Sequence, residues 1–320
     1  MAYYSGNAAN FADLKTAIEN ACVAEGWTLT STVLFKGSCN VQFTATGTTR
    51  LVMRGGTGRS GSTLTNPATN GVKVESIVGD PITFPVAYEI HILTAPDEVF
   101  VVMNHNADRY QTLAFGQSPT PNLPGTGVWI SGGLQEAANV SSSAIYGLYF
   151  DPATGCGTSG FSSSSSNQRN AMGLFNSTSG NNSVHGQRST FFHDGLDGGT
   201  GWCPTTVSTA TYTDDGQSPG MMPYGTLYTN TPSTAYYTTF LIPMYGFRNR
   251  PSFGISISIC VEHARHARLN YHDPGDIIEF GGEQWKLYPH YRRDLSQPNG
   301  ANATIFHSGT YGFAVRYTGP

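Results

Sequence analysis

The densest group of potential metal ligands in the 320-residue chain is Glu262, His263, His266 and His272. A zinc hydrolase needs ligands that converge on one point, and neither H-E-x-x-H nor its inverted form occurs. If a strand beginning at Phe253 continues through the segment, His263 and His266 point to opposite faces. The expectation is exposed or hydrogen-bonded strand histidines without metal, and His263→Ala is expected to leave assembly unchanged. Gly56-Thr57-Gly58-Arg59-Ser60-Gly61 matches the dinucleotide-binding spacing. A helix must open there to receive a pyrophosphate, however, and Ser62 to Pro67 is β-branched and proline-broken, which reads as a mobile glycine turn. Gly216-Gln217-Ser218-Pro219-Gly220 matches a nucleophile elbow, but Pro219 has no N–H to lend an oxyanion hole.

Weaker signals have bland readings. His193-Asp194-Gly195-Leu196-Asp197-Gly198 lacks the alternating ligands of a calcium loop and reads as Asx-type turns. Arg292-Arg293, the tightest basic run, reads as a solvated strand end. Trp129, Tyr212, Tyr236 and Tyr237 could stack on sugars if exposed, although alternation assigns most aromatics to the core. No catalytic, cofactor-binding or metal residue is expected, and no cofactor. Ligand-binding residues stay open.

Charged residues make up 12% of the chain, about half the usual share, so Gly, Ser, Thr and Asn carry the polarity. That suits β architecture with many turns, and subunits largely covered by neighbours. A net charge of -4 gives no general attraction to nucleic acid or an anionic membrane, and neither is expected as a partner. The cysteines Cys22, Cys39, Cys156, Cys203 and Cys260 show no C-x-x-C spacing and are odd in number. Met1 to Gly6 lacks a basic stretch leading into an apolar core, and no run approaches the ~20 apolar residues of a span. A soluble protein made in a reducing cytoplasm is the expectation.

The elements that would carry these residues are mostly strands. One helix is expected over about Phe11 to Glu25, capped by Asn10, with Phe11, Leu14, Ile18 and Cys22 on one face and Gly26 at its end. Thr28 to Phe35, Val41 to Thr46 and Arg50 to Arg54 read as a small sheet against it. Tyr88 to Ile92, a turn at Ala95-Pro96-Asp97, and Val99 to Met103 read as a hairpin with one buried face. Tyr110 to Phe115 and Val128 to Ile130 follow. Between Asp151 and Ala235 lie long loops, including the serine run 162–166, interrupted by short β pieces such as Thr190-Phe191-Phe192. Phe253 to Val261 alternates as a half-buried strand, Asp273 to Asp276 is a turn, Gly281-Gly282 joins a hairpin, and Tyr311 to Tyr317 is the last strand. The fold class is mainly β: β-sandwich-like modules with one N-terminal helix and long Gly/Ser-rich loops. The divisions are 1–150, a helix plus β-sheet module; 151–235, a loop-rich connection; and 236–320, an antiparallel β module.

Several stretches carry a resemblance. They are Met1 to Gly6 with the helix end Glu25-Gly26-Trp27, Leu51 to Gly58, Glu89 to Ile92 through Pro96 to Val99, Leu113 to Gly116, and Trp129 to Gly133. At the other end they are Asp273 to Ile278, Trp285 to Pro289 and Gly312 to Tyr317. With these, the chain resembles virion structural proteins of tailed bacteriophages and prophages of Gram-negative bacteria. The resemblance covers roughly half the chain, rests on turn and core signatures rather than reactive groups, and transfers no catalytic residue. It implies a non-enzymatic, oligomeric subunit of the virion, assembled in the host bacterial cytoplasm and placed in the tail or baseplate. Its partners would be copies of itself and other phage structural proteins. The alternatives are a tail-tip module recognising a host-surface glycan, and a neck or head-tail joining protein.

Overall fold

The apolar spacing of Phe11, Leu14 and Ile18 does produce a helix, but a strand that the sequence reading missed precedes it. The computed structural model describes residues 1–76, 81–119, 123–136, 190–196, 200–204, 241–250, 254–269, 272–293 and 311–320. In it β1 (Ala2–Ala8) leads into α1 (Phe11–Ala24). The Asn10 side chain accepts from the Ala12 and Asp13 N–H groups at 2.8 and 2.9 Å, and the Asp13 carboxylate accepts from Ala9 N–H at 3.2 Å. Two of the helix's orphan donors are thus satisfied. Past the helix, Gly26 takes a φ of +82° and the buried Trp27 folds back, its N–H donating to the Cys22 carbonyl.

In chain order the further strands are β2 (Thr28–Thr30), β3 (Val33–Lys36), β4 (Cys39–Thr46), β5 (Arg50–Ser60), β6 (Thr63–Pro67) and β7 (Val72–Glu75). Then come β8 (Val86–Leu93), β9 (Glu98–Asn104), β10 (Tyr110–Gln117), β11 (Val128–Gly132), β12 (Leu134–Gln135), β13 (Thr190–His193) and β14 (Trp202–Pro204). The last are β15 (Ile242–Arg250), β16 (Gly254–Arg268), β17 (Ile277–Phe280), β18 (Glu283–Pro289) and β19 (Tyr311–Arg316). They form three sheets, mainly by antiparallel hairpins. The central sheet runs β1-β8-β9-β10-β11-β13-β14, a second runs β12-β7-β5-β4-β3-β2 with β6 also on β5, and a third runs β15-β16-β19-β18-β17. The protein is therefore mainly β, with a single helix among the described residues.

Layering follows from the period of two along each central strand. Ile90, Ile92, Val99, Val101, Met103, Leu113, Phe115 and Ile130 pack with Phe11, Leu14 and Ile18 of α1 and with Val41, Phe43, Leu51 and Met53 of the second sheet. Their neighbours Leu93, Phe100, Val102, Ala114, Trp129 and Phe192 pack instead with Met244, Ile259, Val261, Tyr288, Phe313 and Val315 of the third. The hairpin β8–β9 thus buries both faces rather than the one expected. The uninterrupted run Val99 to Met103 is the signature of a strand covered on both sides. Strands β13 and β14, from within 151–235, complete the far edge of the central sheet. The serine run 162–166 and Cys156 lie outside the described residues.

Leu14 is fully buried between α1 and the sheets. Leu14→Ala is expected to cost about 2–5 kcal/mol in urea denaturation. Leu14→Asp should abolish the folded state, because it buries a charge without a partner. An unchanged midpoint for either variant would contradict this packing.

Candidate functional site

A strand covered on both faces leaves its polar side chains little water, so each needs a partner from a covering layer. On β8 these side chains are Glu89 and His91, and the third sheet supplies what they need. One Glu89 carboxylate oxygen accepts from the Tyr3 hydroxyl at 2.9 Å, the Tyr288 hydroxyl at 2.6 Å and the Lys286 ammonium at 2.6 Å. Because Tyr288 donates to Glu89, its oxygen accepts from His91 Nε2–H at 2.8 Å, which places the His91 hydrogen on Nε2. Lys286 also donates to the Tyr3 hydroxyl at 3.3 Å and lies 5.3 Å over the Tyr317 ring. β1, β8, β18 and the chain after β19 therefore meet at six side chains.

The electrostatics fix this cluster in its ordinary charge states. Burial alone would push the Glu89 carboxyl up, but Lys286, Tyr288 and Tyr3 outweigh it and hold the group below its usual value. Burial likewise opposes the Lys286 charge, and Glu89 more than compensates, raising it. Burial and then Glu89 push the Tyr288 hydroxyl well up. Burial drives His91 down to about 3, so it is neutral at physiological pH. The arrangement is a clasp with a fixed ion pair at its centre.

A second cluster explains the histidine segment. Between Pro243 and Met244 the β15 partner jumps from Arg265 to Val261, so Glu262 to Ala264 bulge out of the ladder. The bulge's N–H groups turn to Glu98, wholly buried on β9. Glu262 N–H donates to it at 3.0 Å, His263 N–H at 2.9 Å and His263 Nδ1 at 2.9 Å. The Arg265 guanidinium donates to the carbonyls of Val261, Glu262 and Ala264 at 2.8–3.0 Å, so a carboxyl and a guanidinium take up the displaced backbone. Burial pushes Glu98 up from the ordinary carboxyl value, with His263 and the two backbone donors pulling the other way.

The bulge also changes the strand parity. His263 reaches Glu98 of the central sheet, and His266, cross-strand from Phe313, lies 6.0 Å from the His290 ring that stacks on Phe313. Both imidazoles therefore face the central sheet, not opposite faces as expected. His272 is separate, 3.6 Å from Asp276. Among the described residues no three His, Cys, Asp or Glu side chains are arranged to hold a metal ion. His263 is buried and bonded, so the expected neutrality of His263→Ala gives way to a loss of stability.

The other sequence matches resolve in the same direction. Gly56 to Ser60 lie in β5 and only Gly61 forms a turn, at φ +60°, so the mobile glycine turn is mostly a paired strand. A Cβ on the adjacent Gly55 would stand 2.9 Å from Ile130 Cγ2, a close approach that only glycine permits. Asp194 forms the expected Asx turn, its carboxylate accepting from Leu196 N–H at 3.1 Å. Arg292 pairs with Asp108 at 2.7 Å and Arg293 is buried, so the run is not a solvated strand end. Trp129 is buried and unavailable for stacking on a sugar. Tyr212, Ser218, Tyr236 and Tyr237 lie outside the described residues. Cys22 and Cys39 are buried between α1 and the second sheet, and burial pushes both thiols up. Cys260, half-buried on β16, is pushed up to about 12.

No family model matches the chain, and comparison with curated proteins gives no significant match.

Two predictions follow from these clusters. Lys286→Met is expected to cost about 2–4 kcal/mol, since it strands a half-buried carboxylate. The pair Lys286→Met/Glu89→Gln should recover part of that loss, and a double-mutant cycle by chemical denaturation with no coupling would refute the clasp.

The second concerns acid. His91 and His290 are driven by burial to about 3 and His105 to about 4, against 6.5 in an unfolded chain. Below pH 6.5 the unfolded chain binds protons that the folded chain refuses, so stability present above 6.5 is lost toward pH 3–4. Glu98 acts in the opposite sense over its own range. Each pH unit costs about 1.4 kcal/mol per imidazole, or about 6 kcal/mol for three at pH 5. The melting temperature should fall steeply between pH 6.5 and 4.5, and a flat profile there would contradict the assignment.

Proposed function

We propose that the chain is a non-enzymatic structural subunit of a tailed-bacteriophage particle, in the tail or baseplate region, acting through contacts with copies of itself and with other particle proteins. The observation that carries this reading is that the ionisable groups clustered in the described fold are engaged in joining its layers. A general acid or base must reach a substrate and titrate near the working pH. Glu98, His91, His105 and His290 are sealed beneath the sheets, and Glu89 and Lys286 are held as an ion pair. The low charge of the chain suits a surface covered by neighbours, and the turn and core stretches that resemble virion proteins fall on the strands and turns that build the layers. A buried Trp129 weighs against the glycan-recognition alternative.

The test is the composition of purified particles. Mass spectrometry should find the chain in fixed stoichiometry, and a reconstruction should place it in a symmetric array in the tail. Particles of normal composition and infectivity assembled without the chain would overturn the proposal. Hydrolysis of host-wall polysaccharide by the purified chain would overturn its non-enzymatic part.

A further inference from the structure

The other buried histidines of the described fold are 1–3% exposed, whereas His193 stands at the rim, 9% exposed at the end of β13 and bonded to the exposed Thr200. Two backbone groups fix the state of its ring. The Thr126 N–H lies 3.0 Å from Nδ1, and a backbone N–H can only donate. The Thr200 carbonyl lies 3.2 Å from Nε2 and can only accept. The ring is therefore neutral with its hydrogen on Nε2, and Nδ1 is an acceptor. The Thr126 hydroxyl is 3.2 Å from the same nitrogen.

That acceptor closes a chain of contacts between layers. Gly127, next to Thr126, donates its N–H to the His193 carbonyl at 3.0 Å, and its own carbonyl accepts the Ser118 N–H at 2.8 Å. Ser118 Oγ in turn accepts the Cys260 N–H of the third sheet at 2.8 Å. On the other side His193 pairs with Trp202 of β14, whose indole N–H donates to the Asn66 carbonyl of the second sheet at 2.8 Å. The segment 123–127 thus pins the far corner of the central sheet. Packing leaves the ring no room to turn: a Cβ on Gly201 would stand 2.7 Å from Nε2, and one on Gly125 would stand 2.4 Å from the His193 carbonyl oxygen.

We propose that His193 is a proton-operated latch: when Nδ1 takes up a proton, the segment 123–127 is released and the β13–β14 corner opens while the middle of the sheet stays folded. An imidazolium carries a hydrogen on each nitrogen, so Nδ1–H and the Thr126 N–H become two donors face to face. The Thr126 hydroxyl can turn to accept, but its backbone N–H cannot. Burial holds the ring below its usual pKa, against the pull of the Thr200 carbonyl and then of Asp194. Among the described residues Asp194 is the charge that acts on the ring. Segments 123–127 and 200–204 bring no charged side chain, and Cys203 packs into the core under the third sheet. An opened ring takes its proton near pH 6.5. The latch is therefore closed above that pH and loosens as the pH falls below it, its opening constant rising by up to about tenfold per unit. The latch stands independently of the structural-subunit reading.

Imidazole NMR and amide exchange of the full chain, from about pH 7.5 to 5.5, test it. The ring nitrogen shifts at neutral pH should report the Nε2–H tautomer. Protection of the Thr126 and Gly127 amides, corrected for the intrinsic exchange rate, should fall with the His193 titration by up to about tenfold per unit, while amides of β9 and β10 lose less. In His193→Asn the side-chain oxygen can stand in for Nδ1 without titrating, so Thr126 should keep its protection and lose the acid response. In His193→Phe the Thr126 amide should be poorly protected at every pH. An Nδ1–H tautomer, a Thr126 amide indifferent to the His193 titration, or a loss shared equally by β9 and β10 overturns the latch. So does an undiminished acid response in His193→Asn. Should either variant not fold, the wild-type measurements decide alone.

Discussion

The middle strands of the central sheet have neither face in water, and the rest of the structure answers to that constraint. Apolar positions on its strands are satisfied by either covering layer without regard to detail, whereas each polar position must be met at one place by one partner. Glu89 and His91 require Tyr288 and Lys286, so β18 has to lie over β8. Glu98 requires the N–H groups of Glu262 and His263, so β16 has to bulge above β9. Ser118 on the chain leaving β10 accepts the Cys260 N–H at 2.8 Å and fixes the next point along the same strand. The third sheet can dock in one position only.

Apolar burial and ionic contacts have different roles here. Phe100, Trp129, Phe192, Tyr288 and Phe313 remove large apolar areas from water, and most of the free energy of layer association comes from them. The clasp and the bulge add little by comparison, because taking charges out of water costs about as much as their pairing returns. What they supply is register. A sheet slipped by one residue would leave Glu98 facing apolar side chains and Lys286 without its carboxylate, so misdocked arrangements are penalised more than the native one is favoured.

Much of this was legible in the sequence, and the failures share a cause. The helix with its Asn10 cap, the β8–β9 hairpin, the Gly281-Gly282 turn and the alternation of β19 follow from local chemistry and appear where expected. Local chemistry does not announce β1, because Ala2 to Ala8 is polar and owes its extended state to pairing with β8. Nor could strand period place His263 and His266, since a carboxylate distant in sequence stabilises the bulge that resets the parity. Arg293 reads as a solvated strand end until the fold buries it. Both clusters join residues separated by more than 150 positions, and their members, taken one by one, match no motif.

The thiols make the layering accessible to chemistry. Cys22 and Cys39 sit beneath α1 and the second sheet, where burial suppresses their reactive thiolate forms, and Cys203 is buried between the central and third sheets. An alkylating reagent can therefore capture each only when the layer above it lifts, so the rates of modification at these cysteines act as separate clocks for the two outer layers. A structure joined through one shared sheet then reports, by which sulfur reacts first, which side of that sheet lets go first.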